Sequence, residues 1–120
     1  MKIRKGVIEL IMESSKSSLP NEFAAILKAK RGIIYEIALL PGTIAGQRSA
    51  VMQIFMRPID LGYVGTAHSH PSGVIAPSDE DRNLFSKFGE VHIIVGYPFR
   101  IDSWRAFNSE GERIEVEMIQ

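Results

Sequence analysis

The spacing of apolar residues near the start of the chain predicts a helix over residues 5–18, KGVIELIMESSKSS. Apolar and small residues recur there at intervals of three and four, as on one face of an α-helix. The predicted face consists of Val7, Leu10, Ile11, Ser14 and Ser18, widened by Ile8 and Met12. Pro20 cannot continue a helix, so we expect this one to end just before it.

Alternating or β-branched apolar runs predict strands along most of the remaining chain. The predicted strands are residues 23–30, 33–40, 50–56, 63–69, 91–95, 101–107 and 113–119. Arg31 and Gly32 separate the first two strands and are typical of a two-residue hairpin turn. The last strand alternates, with Ile114, Val116 and Met118 on one face.

A second helix is predicted to begin at Ser78, in the sequence SDEDRNLFSKFG. Leu84, Phe85 and Phe88 form its apolar face, and Gly89 lies where a helix commonly ends. The elements together predict a mixed α/β domain. It has a single mixed β-sheet with flanking helices, one at the start of the chain and one in the middle.

Composition limits the classes of protein that this chain can represent. The 120 residues include 14 basic and 14 acidic side chains and no cysteine. We therefore expect one domain over residues 1–120, no nucleic-acid partner, and no disulfide, cysteine-ligated metal or thiol catalysis. No stretch is typical of a membrane helix or a secretion signal, which favours a cytoplasmic protein.

Two of the three histidines stand one residue apart, in AHSHPSGVIAPSDED. Successive strand residues point to opposite faces, so His68 and His70 point the same way from the end of one strand. Ser78 is placed as the N-cap of the following helix, which brings Asp81 onto its first turn. Two imidazoles and a carboxylate, with a fourth position left for water, make up a catalytic zinc site. Cobalt, nickel and iron bind to similar sets of ligands.

The residues from His68 to Asp81 reproduce the H-x-H-x7-S-x2-D motif of the JAMM (MPN+) metalloproteases. That family also has an upstream glutamate in a P-x-E context, and Glu22 stands in that place, two residues after Pro20. The likeness extends along the whole chain, from the first helix to the helix after the motif. The chain therefore resembles this family, and most closely its stand-alone archaeal and bacterial members.

The resemblance implies a fold, an activity and a role for each motif residue. The family fold is the cytidine-deaminase-like α/β arrangement. His68, His70 and Asp81 would hold Zn²⁺, and Glu22 would be the general base for a zinc-activated water. Ser78 would help to stabilise the tetrahedral oxyanion. The implied activity is hydrolysis of the peptide or isopeptide bond at the C-terminus of a ubiquitin-like or sulfur-carrier protein.

The sequence departs from the family in one place and leaves other readings open. Many members read E-x-x-G-x-L-x-G after the glutamate, whereas this chain has Ala25 and Ala29 at the glycine positions. A non-catalytic MPN binding module and a RadC-like JAMM protein with a different substrate remain alternatives. A deaminase is disfavoured because its zinc motif needs cysteines. The oligomeric state is left open.

Several residues also have purely structural interpretations. Ser78 and Asp81 are spaced as a capping box, and for Asp81 capping would compete with metal binding. His92, inside an apolar strand, is expected to be packed rather than to be a fourth ligand. The aromatic residues Phe99, Trp104 and Phe107 are expected to serve packing. Residues 50–56 and 57–62 are the expected edge for a substrate tail bound as an added strand.

Overall fold

The computed structural model describes residues 1–39 and 62–120. Ten elements lie within these two ranges, and they combine one curled sheet with two helices. In chain order they are β1 (Lys2–Arg4), α1 (Lys5–Ser18), β2 (Ala24–Lys30), β3 (Ile33–Leu39), β4 (Tyr63–His70), α2 (Asp79–Phe85), β5 (Val91–Gly96), β6 (Trp104–Phe107), β7 (Arg113–Ile114) and β8 (Glu117–Ile119).

The eight strands of the described ranges form one mixed sheet in the order β7-β6-β5-β4-β2-β3-β1-β8. Three neighbouring pairs are parallel, namely β4 with β5, β1 with β3, and β1 with β8. The other neighbours are antiparallel. The predicted fold class, a single mixed sheet with flanking helices, is thus confirmed.

The two faces of the sheet carry separate apolar clusters because side chains alternate along each strand. The larger cluster joins α1 to odd-numbered residues of β2, β4 and β5, among them Ala25, Ala67 and Ile93. The cluster on the other face joins α2 to Ile94 and Phe107. The motif histidines have even numbers, so they lie on the α2 face of β4.

The hairpin between β2 and β3 forms as predicted. Lys30 faces Ile33 across the turn, and both intervening residues have positive φ, 54° at Arg31 and 78° at Gly32. Two positive φ angles are typical of the type I′ turn, whose twist matches that of the strands it joins.

Helix α1 has the predicted bounds, but its buried face differs from the prediction: Ser15 is buried in place of Ser14 and Ser18, which are half-buried, and Leu10 differs most. Leu10 was expected on the apolar face and is 47% exposed. The buried stripe consists of Val7, Ile8, Ile11, Met12 and Ser15. Leu10 lies roughly 130° around the helix from the centre of that stripe, since successive residues are about 100° apart.

The prediction that Gly89 ends the second helix is wrong. Helix α2 ends at Phe85, and the next residues form a tighter turn in which the Lys87 amide donates to the Leu84 carbonyl. Gly89 has a φ of 105°, and a Cβ there would lie 2.8 Å from the Cα of Gly65. The glycine therefore permits close approach to β4 rather than termination of the helix.

Other strand predictions differ in extent. The predicted strand 101–107 is reduced to β6, and 113–119 is split into β7 and β8, which lie at opposite edges of the sheet. On the predicted apolar face of that last run, Val116 is buried while Met118 is 39% exposed. Strand β1 was not predicted. The predicted strand 50–56 and residues 57–61 of the expected substrate edge lie outside the described residues.

The aromatic residues take the packing positions expected of them, since Phe99 and Phe107 are buried and Trp104 packs against the core. No helix within residues 1–39 and 62–120 is long and apolar enough to cross a membrane.

Candidate metal centre

Strand β4 delivers two imidazoles to one place at its carboxyl end. His68 and His70 both project from the α2 face, and their ring centroids are 5.1 Å apart. His68 is buried, with 2% of its surface exposed, because β5 flanks it on one side and β2 on the other. Central position in the sheet therefore fixes the first histidine more firmly than the second, which is the last residue of the strand.

The start of α2 brings a carboxylate to the two imidazoles. Ser78 is the N-cap, and its hydroxyl oxygen accepts a hydrogen bond from the Asp81 amide at 3.1 Å. In return, Oδ2 of Asp81 accepts from the Ser78 amide at 2.9 Å. This reciprocal capping box fixes the Asp81 side chain, which is fully buried.

The three side chains meet closely enough to share one ion. Oδ1 of Asp81 lies 3.0 Å from Nε2 of His68, and Oδ2 lies 3.1 Å from Nε2 of His70. One candidate ligand atom from each residue can be chosen so that all lie within 4.8 Å of one another. Capping was expected to compete with metal binding at Asp81, but the two carboxylate oxygens divide these contacts. Oδ2 accepts the hydrogen bond of the cap, and Oδ1 faces His68.

The ring nitrogens are also placed to bind a cation. Nδ1 of His70 lies 2.8 Å from the Val74 carbonyl, which can only accept, so this nitrogen carries a proton, and Nε2 offers its lone pair to a cation when the ring is neutral. Nδ1 of buried His68 has no hydrogen-bond partner within the described part of the chain, and its Nε2 faces the Asp81 carboxylate. A buried imidazole and carboxylate that face each other are costly to maintain unless a proton or a cation lies between them. Two imidazoles and one carboxylate are a donor set that suits Zn²⁺.

The charges in this cluster are strongly coupled. Burial works to raise the pKa of Asp81, but the imidazoles of His68 and His70 hold it well below its usual range. The Asp81 carboxylate in turn raises the pKa of His70 against the effect of burial, and the charge of Glu22 adds to this rise. Protons and a divalent cation compete for the same groups, so metal affinity increases with pH.

Glu22 lies on the correct side of the sheet for the role that the motif implies. Strand β2 pairs with β4 so that Ala24 faces His68. Continuing this antiparallel register by two residues places Glu22 opposite His70, and facing residues project to the same side. The side chain is exposed. The electrostatic effect of Glu22 on His70 agrees with this placement.

His92 is a packed histidine, as expected, and not a ligand. Its Nδ1 lies 2.7 Å from the Thr66 hydroxyl and its Nε2 lies 3.0 Å from the Gly89 carbonyl. The carbonyl needs a donor, so Nε2 carries the proton and Nδ1 accepts from threonine. Burial lowers the pKa of His92 to about 4, which keeps the ring neutral.

Two supporting groups could not be identified from the motif. The Val74 carbonyl orients His70, and a backbone group leaves no signal in the sequence. Phe85 stacks on His92 with ring centroids 4.2 Å apart and also lies 6.0 Å from the His68 ring. Its helical spacing predicted burial but not this position behind a ligand.

Comparison with known proteins agrees with this geometry. Residues 4–107 match the family of prokaryotic homologues of the JAB domain. A protein of Haloferax volcanii named a probable metalloprotease is 32% identical over 127 residues, covering 98% of this chain and 78% of its own length. A UPF0758 protein of Clostridioides difficile is also 32% identical, but over only 61% of this chain and 36% of its own length.

Solved structures show the same relationship. A JAB1/MPN domain protein from Archaeoglobus fulgidus superimposes with a TM-score of 0.83 and 38% identity, with 100% of each chain covered. A structure described as a metalloprotease-like JAMM zinc site in the proteasome and signalosome has a TM-score of 0.79 and 37% identity, over 100% of this chain and 98% of the other. The chain therefore belongs to the JAMM/MPN family as a prokaryotic homologue of the JAB domain, and its two histidines and aspartate fit the Zn²⁺ of that metalloprotease-like site.

Proposed function

We propose that the protein is a zinc metalloprotease that hydrolyses the bond at the C-terminus of a small ubiquitin-like or sulfur-carrier protein. The scissile bond would be an isopeptide bond to a lysine or a peptide bond to a fused segment. The observation that carries this proposal is the buried His68–His70–Asp81 cluster with Glu22 on the same face of the sheet. The Haloferax relative named a probable metalloprotease supports it.

Each side chain of the site has a part in this reaction. Held by these three ligands, Zn²⁺ would act as a Lewis acid and would lower the pKa of a water molecule toward about 7. The Glu22 carboxylate takes a proton from the attacking water and passes it to the leaving amine. The products are the free C-terminal carboxylate of the modifier and the amine of the lysine.

Ser78 can serve the helix and the reaction together. Its hydroxyl oxygen accepts one hydrogen bond from the Asp81 amide, and a hydroxyl has both a donor and a second acceptor site. The residue is exposed, so its hydrogen can be donated to the oxyanion that develops on the scissile carbonyl.

A complete ligand set distinguishes this proposal from a non-catalytic binding module. A module that only binds has no need for a buried carboxylate between two buried or half-buried imidazoles, which is costly to maintain without an ion. The second candidate is a JAMM hydrolase with a different substrate, since the partial match to the UPF0758 protein is to a relative whose name states no protease activity.

The first test measures zinc and cleavage on the same samples. We expect about one zinc per wild-type chain by mass spectrometry, and much less in Asp81→Ala. Glu22→Gln should retain zinc but lose cleavage of a β-grasp modifier joined to a lysine peptide, because only proton transfer is removed. Glu9→Gln, an exposed glutamate on α1, is the matched control and should cleave normally.

Three results would contradict the proposal or a part of it. Wild-type protein that takes up no zinc when it is supplied would favour the binding module. Full cleavage by Glu22→Gln would remove this residue from the proton-transfer role, while zinc without cleavage of any modifier conjugate would favour the second candidate.

A further inference from the structure

One hydrogen bond between β4 and the chain before β2 departs from the regular antiparallel pattern. The Ser69 amide donates to the Phe23 carbonyl at 2.9 Å, as a strand amide normally does. The Phe23 amide, however, donates to the Ser69 side-chain hydroxyl at 2.8 Å. In a regular pair of this kind both bonds join backbone groups. Here a side chain takes the place of a backbone carbonyl.

This bond holds the chain immediately next to Glu22. Phe23 precedes the first residue of β2 and follows Glu22, and the regular pairing with β4 begins at Ala24. The phenyl ring of Phe23 is buried in the cluster on the α1 face. Because neighbouring side chains on an extended chain point to opposite sides, the Glu22 carboxylate projects to the α2 face, beside His70.

Ser69 itself is placed apart from the metal cluster. It lies between the two histidines in sequence, but its side chain faces away from them and is fully buried. A buried hydroxyl is unfavourable unless it is hydrogen-bonded, and alanine would fill much the same space without this cost. We therefore attribute a specific structural role to this hydroxyl, which is to accept the hydrogen bond of the Phe23 amide.

We propose that Ser69 is a positioning residue for the reaction, whose hydroxyl holds the Glu22–Phe23 peptide so that the Glu22 carboxylate faces the metal site. This inference rests on the proposed role of Glu22 as the general base. Strand β4 thus has two roles at the site. Its histidines, His68 and His70, are the metal ligands, and Ser69 between them positions the general base, Glu22. Without the hydroxyl, the Phe23 amide has no partner on β4, and this amide belongs to the peptide group that follows Glu22.

The test compares Ser69→Ala with Ser69→Thr, which keeps the hydroxyl. We expect Ser69→Ala to bind zinc and the substrate normally, with KM unchanged, and to lose about 10- to 100-fold in kcat, the usual effect of a misplaced catalytic group. Ser69→Thr should recover most of kcat. Ser15→Ala is the matched control, because Ser15 is an equally buried serine whose hydroxyl bonds within α1 to the Ile11 carbonyl.

Hydrogen exchange at the Phe23 amide tests the same inference without any catalysis. By NMR, this amide should be protected in wild type and should exchange faster in Ser69→Ala, whereas the amides of residues 25–27 in β2 should change little. If a modifier conjugate is not cleaved by wild type, the proposed function fails, but the exchange result still decides whether the hydroxyl holds this segment.

The inference is overturned by any of three results. The first is wild-type kcat in Ser69→Ala, and the second is an equal loss of kcat in Ser69→Ala and Ser69→Thr. The third is a Phe23 amide that exchanges in the wild type as fast as in an unstructured peptide, and this measurement needs no variant that might fail to fold.

Discussion

Substitutions at Ser78 can separate the capping role of this residue from its proposed catalytic role. The hydroxyl oxygen caps α2 by accepting from the Asp81 amide at 3.1 Å, and the hydroxyl hydrogen remains available to a substrate. Alanine removes both capacities. Glycine removes the donor but costs a helix start only a few tenths of a kcal/mol, whereas threonine keeps both capacities.

The magnitudes follow from the two roles. Losing the cap in Ser78→Ala should lower the free energy of unfolding by about 1 kcal/mol, or roughly 4 °C in Tm for a domain of this size. Losing an oxyanion donor should lower kcat by about 10²-fold or more. We therefore expect low kcat with reduced Tm in Ser78→Ala, low kcat with near-wild-type Tm in Ser78→Gly, and near-wild-type values of both in Ser78→Thr.

The assay combines thermal unfolding, zinc content and kcat on the three variants. Zinc content should stay constant, because the Asp81 carboxylate is held by the backbone amide at position 78, which every variant retains. Wild-type kcat in Ser78→Gly would refute the donor role. An unchanged Tm in Ser78→Ala would refute the contribution of the cap, and loss of zinc in Ser78→Gly would show that the hydroxyl supports the metal site instead.

Three further predictions concern stability and metal binding. Burial lowers the pKa of His92 from 6.5 to about 4, so the folded protein rejects a proton that the unfolded chain accepts, and stability should fall between about pH 6.5 and 4 by on the order of 3 kcal/mol. Urea titrations across that range give the free energy of unfolding at each pH, and its slope against pH should be smaller in His92→Gln by the equivalent of about one proton. Equal slopes in the wild type and the variant would contradict this. Gly96→Ala should lower both Tm and zinc affinity, because its Cβ would lie 2.8 Å from Cγ1 of Ile75, in the loop whose Val74 carbonyl orients His70. Gly6→Ala is the control and should raise Tm, because a Cβ at this helical position has open space around it. Equal Tm values for Gly96→Ala and Gly6→Ala would contradict the claim that a Cβ at position 96 displaces Ile75. Asp81→Asn keeps an oxygen for the cap but no charge, so circular dichroism should be nearly unchanged while zinc content falls well below that of wild type; equal zinc in both would exclude the carboxylate as a ligand.

Local patterns were sufficient to predict most of the elements. Helical spacing predicted the bounds of α1, and the two residues Arg31 and Gly32 between two apolar runs predicted the β2–β3 turn. The prediction failed where a distant part of the chain decided the outcome. Leu10 has the right spacing but faces solvent, because the sheet covers only one stripe of α1. Gly89 adopts positive φ because β4 approaches it and not because a helix ends there.

The sequence by itself determined which side chains can form the site. The motif places His68 and His70 on one strand face and Asp81 on the first turn of a helix, since strand alternation and helix capping are local rules. These same rules predicted the ligand chemistry, because two imidazoles and a carboxylate suit few ions besides Zn²⁺ and its close relatives.

Only the tertiary structure decided how these groups are held and what surrounds them. The pairing of β2 with β4 brings Glu22 to the histidines across more than forty residues of sequence. The bond that His70 donates to the Val74 carbonyl, the stacking of Phe85 behind the site and the bond that the Phe23 amide donates to Ser69 are likewise tertiary or backbone contacts. No local pattern encodes them, because they depend on which strands become neighbours and on the direction in which a loop crosses the end of the sheet.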